Sequence, residues 1–253
     1  MRFKLTIDRG NTAIKAALWS ESGELVAAET GDESFPAGDL AVKMSEKYLP
    51  AGIMPEAIAW CTVVASEHEE DKASLESLPV GRVVELSSST PMRLTIGYRT
   101  PETLGSDRLA AVLGALYVAG DSHPLLVSDI GTAVTYDFVE RGRHYVGGNI
   151  APGIDLRLRA LAAFTDALPA VSVSGGDIPL WGQTTAEAMR SGAVRGLAAE
   201  LAYYHAAAGE DTRVVLTGGS AALLAHENIL TFDFIHDPYL VHKGLFSIIK
   251  DEN

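Results

Sequence analysis

The sequence predicts an α/β fold in which one supersecondary pattern is built twice. Two segments carry the prediction: residues 5–18, LTIDRGNTAIKAAL, and 127–138, VSDIGTAVTYDF. Each runs apolar strand, Asp, any residue, Gly, a small polar residue, then a second strand-like stretch. Their aspartates, Asp8 and Asp129, stand about half the chain length apart. Each is followed by a third strand and then by helix, so the halves continue alike.

Apolar alternation predicts strands over 2–8, 13–19 and 23–30, a helix over 37–48, a strand over 57–64, a short helix over 67–77 and a strand over 82–86. In the second half the strands are 125–129, 133–139 and 143–150, with a helix starting near Gly153. Leu109, Val112, Leu113, Leu116 and Tyr117 share one face of a helix over 106–119, which joins the halves. A longer helix starts at Thr184 or Thr185, where Thr184 and Glu187 fit a capping box, and runs to about Ala208; its Gly192 and Gly196 allow close packing. Gly120, Asp121, Ser122 and Pro124 form the best boundary signal. The expected domains are therefore 1–119, including the linking helix, and 120–253.

The chain has 253 residues, 47% of them hydrophobic and 21% charged, enough apolar side chain for real cores. Its net charge of −13 repels phosphate backbones and anionic lipid, which argues against nucleic acid or a membrane surface as partner. The single cysteine, Cys61, permits no intramolecular disulfide and reads as a small core residue beside Trp60 and Val63. The opening residues lack the apolar stretch of a signal peptide, and no run reaches the ~18 apolar residues of a spanning helix. The expectation is a soluble cytoplasmic protein.

An acidic residue at a strand end, followed by Gly and small hydroxyl or amide residues, suits phosphate and a hard cation. Backbone can approach an anion at Gly10 and Gly131, Asn11, Thr12 and Thr132 add hydrogen-bond partners, and Asp8 and Asp129 offer oxygens. Both segments also fit plain hairpin turns in which Asp and Gly serve only the bend. Thr217-Gly218-Gly219-Ser220, between a strand over 213–216 and a helix over 221–226, fits a phosphate-facing helix start or a steric use of glycine. In Tyr98 to Arg108, Asp107 is placed to accept a hydroxyl proton and Arg108 to pair with a carboxylate. Ser106 or Asp107 as a helix cap, with Arg108 solvated, explains the same residues. Gly147 to Gly153 fits either a substrate-facing backbone or a rigid corner. The seven histidines are scattered without zinc-site spacing, and no Gly-x-Ser-x-Gly elbow is present.

In order along the chain, Asp8-Arg9-Gly10-Asn11-Thr12, Tyr98 with Pro101, Gly105-Ser106-Asp107-Arg108, Asp129-Ile130-Gly131-Thr132-Ala133, Gly147 to Gly153, and Thr217-Gly218-Gly219 resemble the motifs of type III pantothenate kinases. The closing Pro238 to Leu245 resembles that family's terminal segment. The resemblance implies two duplicated ribonuclease-H-like domains, mixed sheets flanked by helices with an interdomain cleft, as in the acetate kinase, sugar kinase and actin superfamily. It implies ATP-dependent phosphorylation of pantothenate, the first step toward coenzyme A, by a homodimer with the substrate site at its interface, using magnesium and a monovalent cation, potassium or ammonium.

Carried over by motif, Asp107 becomes the general base. Asp8, Arg9, Gly10, Asn11, Thr12, Ala13, Ile14, Lys15 and Thr132 contact ATP, and Asp129 holds the monovalent cation. Tyr98, Gly105, Ser106, Asp107 and Arg108 line the pantothenate pocket, with Thr185 reaching substrate across the dimer and Thr184 as the adjacent alternative. Two positions depart from the pattern: Arg9 replaces a common aliphatic residue and sets a cation beside the phosphate turn, and Ala65 stands where proline is frequent. The alternatives are another small-molecule kinase or phosphohydrolase of the superfamily, and a non-catalytic nucleotide-binding regulator.

Overall fold

The computed structural model describes residues 2–32, 34–226 and 229–250. They form two compact units, one from residues up to Val118 together with those from Tyr239 onward, the other Ala119–Pro238. The first contains β1 (Phe3–Arg9), β2 (Ile14–Ser20), β3 (Leu25–Gly31), α1 (Ala37–Tyr48), β4 (Ala57–Thr62), α2 (His68–Glu76), β5 (Arg82–Glu85), β6 (Thr95–Ile96) and α3 (Ser106–Ala119). The second contains β7 (Leu125–Asp129), β8 (Ala133–Glu140), β9 (His144–Pro152), α4 (Ile154–Phe164), α5 (Thr185–Ala208), β10 (Arg213–Thr217), α6 (Ala221–His226) and β11 (Phe234–His236). The chain closes with α7 (Leu240–Ile249), which returns to the first unit. That return was not foreseen in the expected second domain of 120–253; an apolar helix goes where its buried face finds a partner.

The sheet of the first unit has the order β3-β2-β1-β4-β5. β1 pairs antiparallel with β2 and parallel with β4, and β4 pairs parallel with β5. In the second unit β7 pairs antiparallel with β8 and parallel with β10, β8 antiparallel with β9, and β10 parallel with β11. Over β7 to β11 the second sheet repeats the order and sense of the first, with β6 as a sixth strand, which is the duplication expected from the two Asp-Gly segments.

Alternation along β1 divides its side chains between two faces. Leu5 and Ile7 join Ile14, Leu18, Ile58 and Trp60 against α1 and α2. Thr6 and Asp8 point the other way. There Thr6 Oγ1 lies 3.0 Å from His242 Nδ1 on α7 and accepts Trp19 Nε1–H at 2.9 Å. Burial holds the His242 imidazole down at about 3, with the nearby Lys15 charge acting in the same direction, so the ring is neutral at physiological pH. Trp19 also stacks on Phe246, ring centroids 5.3 Å apart. α3 and α7 meet backbone to backbone: a Cβ on Gly244 would collide with the Ala110 carbonyl, and one on Gly114 with that of Leu240.

The second unit packs Leu126, Val134, Tyr136, Val214 and Leu216 of its sheet against Leu158 of α4 and Val194, Leu197 and Leu201 of α5. α5 carries the expected capping box: Thr184 Oγ1 accepts Glu187 N–H at 3.2 Å, and Glu187 Oε2 accepts Thr184 N–H at 3.3 Å. Close packing at Gly192 is not observed; a Cβ there would meet open space.

Gly244→Ala should destabilise the protein by about 1–3 kcal/mol, the usual cost of overpacking, because no side-chain rotation relieves a clash with backbone. Denaturant unfolding measures it, and an unchanged midpoint would contradict the backbone contact of α3 with α7.

Candidate active site

β1 ends at the point where its neighbours are antiparallel on one side and parallel on the other. Asp8 faces Lys15 across the first pairing and Cys61 across the second. Its residue is only 9% exposed, and Cys61 Sγ donates to Asp8 Oδ1 at 3.6 Å. Burial pushes the Asp8 carboxyl up to about 6; Lys15 pulls it down, while the Asp107 charge adds to the rise. Asp107 therefore shares the electrostatic environment of Asp8, although the two are far apart in sequence. Cys61 is buried, with its thiol pushed well up by burial and by the Asp8 and Asp107 charges, so it is a hydrogen-bond donor and no nucleophile.

The turn after β1 closes with Gly10 N–H donated to the Ala13 carbonyl at 3.0 Å. Asn11 and Thr12 are exposed at its tip, and Lys15 is exposed on the Asp8 side of β2. Ile14 instead lies in the core, leaving only its backbone for a ligand. Arg9 differs from the expectation of a cation beside the phosphate turn. Being one residue on from Asp8, its side chain leaves by the opposite face, where it is bonded to Asp71.

α3 brings the second motif to this place. Ser106 Oγ donates to the Thr62 carbonyl at 2.8 Å, tying the helix start to the end of β4 beside Cys61. Asp107 Oδ1 accepts Arg108 N–H at 2.7 Å in the first turn of α3, a setting that suits a carboxylate. A Cβ on Gly105 would press on Asp107 Oδ1, so this glycine makes room for the carboxylate. Arg108 is 5% exposed, with its guanidinium 5.7 Å from the Tyr98 ring centroid. The solvated Arg108 of the capping alternative is thereby excluded.

In the second unit Asp129 ends β7 opposite Thr217 of β10. The following turn is one residue shorter than the first, with Gly131 N–H donated to the Ala133 carbonyl at 3.0 Å and Thr132 exposed. Two glycine clusters left ambiguous by the sequence converge here. Gly218, at φ +92°, has no room for a Cβ beside Asp129 Oδ1 and the Ile130 backbone. Gly153 donates its N–H to the Thr132 carbonyl at 3.0 Å and lies so close to the Gly131 carbonyl that a side chain is excluded. The signal that could have found them is their position directly after a strand. Thr184 is committed to the α5 cap, so Thr185, exposed at the first helical position, has the free-standing hydroxyl of the pair.

The sign of the Asp8 perturbation gives a stability test. Because the folded-state value lies above the unfolded one, stability falls as pH rises from about 4 through about 6 and stays lower above. The cost above that window is at most about 3 kcal/mol. Asp8→Asn should therefore melt higher than wild type at pH 7.5 and level with it at pH 4; equal melting at both values contradicts the buried carboxylate.

A family model described as type III pantothenate kinase matches residues 4–207. Among curated proteins, the type III pantothenate kinase of Phocaeicola vulgatus is 38% identical over 250 residues, covering 97% of each chain. That of Porphyromonas gingivalis is 36% identical over 256 residues, covering 99% of each. Among solved structures, a Campylobacter jejuni protein described as a Baf family transcriptional activator superposes with a TM-score of 0.61 at 21% identity over 97% of each chain. Porphyromonas gingivalis acetate kinase gives 0.54 at 11% identity, covering 99% of this chain and all of the other. These two likenesses bear on fold alone, and they agree with duplicated ribonuclease-H-like halves. With its motifs in order and its relatives matched end to end, the chain belongs to the type III pantothenate kinases, the enzymes that phosphorylate pantothenate with ATP on the way to coenzyme A.

Proposed function

We propose that Asp107 is the general base for this phosphorylation, acting on the primary hydroxyl of pantothenate. The observation that carries the reading is the tie from Ser106 to the Thr62 carbonyl, which sets Asp107 at the strand ends that hold Asp8, where Asp107 and Lys15 both act on the Asp8 charge. The hydroxyl proton passes to the Asp107 carboxylate as the oxygen attacks the γ-phosphorus. The bond to the β-phosphate oxygen breaks, and ADP and 4′-phosphopantothenate result. Gly10, Asn11, Thr12 and the exposed Lys15 contact the phosphates of ATP, and Thr132 is assigned the same role by its motif. Arg108, steadied by Tyr98, receives the carboxylate or amide end of pantothenate, and Gly105 leaves room for the Asp107 carboxylate.

Among the described residues no group of three or more His, Cys, Asp and Glu side chains forms a metal site of its own. Asp8 offers the carboxylate oxygen that would hold magnesium brought by ATP. Magnesium neutralises phosphate charge when bound. Asp129, an oxygen donor in a turn walled by glycines, is assigned to potassium or ammonium by its place in the family motif.

The two units are read as the two ribonuclease-H-like domains, dividing near 119/120, with α7 completing the first. The second unit supports a homodimer. Phe164 is 87% exposed and Trp181 81%, and Phe164 borders a groove of about 450 Å³ with Leu156, Ala160, Leu161 and Gly192. A second copy covers this face and presents Thr185 to the substrate. No helix among the described residues is long and apolar enough to cross a membrane.

Steady-state kinetics tests the base. Asp107→Asn should lower kcat by about 10²-fold or more, whereas Arg108→Ala should mainly raise the KM for pantothenate, by about tenfold or more. Near-wild-type turnover in the first excludes the base role, and an unchanged KM in the second excludes the substrate contact. Sedimentation velocity should report a particle of two 26.8 kDa chains that Phe164→Arg dissociates; a wild-type monomer overturns the dimer.

A further inference from the structure

We propose that Arg9, through its buried ion pair with Asp71, is a positioning residue that sets the phosphate turn for ATP. The inference rests on the reading that the Asp8 turn holds the nucleotide phosphates.

Arg9 is the last residue of β1, between Asp8 and the Gly10 turn. Its Nε and Nη2 both donate to the Asp71 carboxylate, the latter at 2.8 Å, and Nη2 also donates to the Phe35 carbonyl at 2.7 Å. Asp71 Oδ1 accepts Ala37 N–H at 2.9 Å as well, at the first residue of α1. The two side chains are 3% and 1% exposed. One carboxylate on α2 thus ties together the end of β1 and the entry to α1.

Stability alone does not call for this arrangement. On that face of β1 Leu5 and Ile7 are apolar and fully buried and Phe3 is partly buried, and an aliphatic residue at position 9 would continue the core. Burying two charges costs desolvation that their attraction repays only in part, and apolar replacement of such pairs is often neutral or stabilising. What an aliphatic side chain lacks is direction. A planar fork bonded to one carboxylate and one carbonyl fixes the rotation of the strand's final residue. The adjoining residues are the buried Asp8 on one side and the turn glycine on the other, so that rotation sets where both point. A displacement of about 1 Å in such a turn is enough to cost a large factor in phosphoryl transfer.

The test is the double substitution Arg9→Met with Asp71→Leu, which removes both charges together. Melting temperature, the dissociation constant for Mg-ATP by calorimetry and steady-state kinetics are measured. A folded protein melting within a few degrees of wild type is expected, since relief of the buried charges offsets the loss of partners for the Ala37 N–H and the Phe35 carbonyl. The ATP dissociation constant should rise, and kcat/KM for ATP fall, about tenfold or more while the KM for pantothenate holds. Wild-type ATP binding and turnover in a folded double variant overturns the proposal. Should the double variant not fold, Arg9→Lys keeps the charge without the fork, and the same loss of ATP affinity is required of it; unchanged affinity is again fatal. Wild-type protein that fails to bind Mg-ATP would instead sink the reading of the Asp8 turn, and this inference with it.

Discussion

The site depends on keeping an ionisable carboxylate at the dry end of a central strand. β1 is flanked by an antiparallel strand and a parallel one, so its last residues meet Lys15 on one side and Cys61 on the other. Asp8 there is starved of water, and its charge is sustained by Lys15 against both burial and Asp107. A fold selected for stability alone would place an apolar residue at that position. A cation brought beside this carboxylate would add to the counter-charge that Lys15 supplies.

The second unit meets the same geometric demand by other means. Asp129 also ends the strand at which pairing changes sense, but its surroundings are glycine backbone: Gly218 with its positive φ and Gly153 against the Gly131 carbonyl. Side chains are kept out so that N–H and C=O groups line the turn. The turn of the first repeat is thus set by charge and that of the second by shape.

Much of this was legible in the sequence because strand periodicity and Asp-Gly turns are local signals. The α1 and α3 bounds, 37–48 and 106–119, follow directly from apolar spacing. The short β11 and the docking of α7 were not legible, since an apolar terminal helix does not say which sheet it will cover. The direction of Arg9 was obscured by reading a motif as a string: strand alternation sends its side chain to the face opposite Asp8. Cys61 was read as core, correctly for its burial, but its bond to Asp8 depends on a parallel pairing between distant strands. Gly153 and Gly218 gave ambiguous signals because glycine after a strand has steric uses everywhere; only the fold brings both to one turn.

The central claim is transfer of phosphate from ATP to the alcohol of pantothenate, and phosphorus NMR of the reaction mixture follows it most directly. Purified protein with Mg-ATP, potassium and pantothenate should convert the γ-phosphate resonance into that of a phosphomonoester carried by pantothenate, with ADP formed in equal amount. ADP with only inorganic phosphate beside unmodified pantothenate, or ATP left intact, would contradict the account.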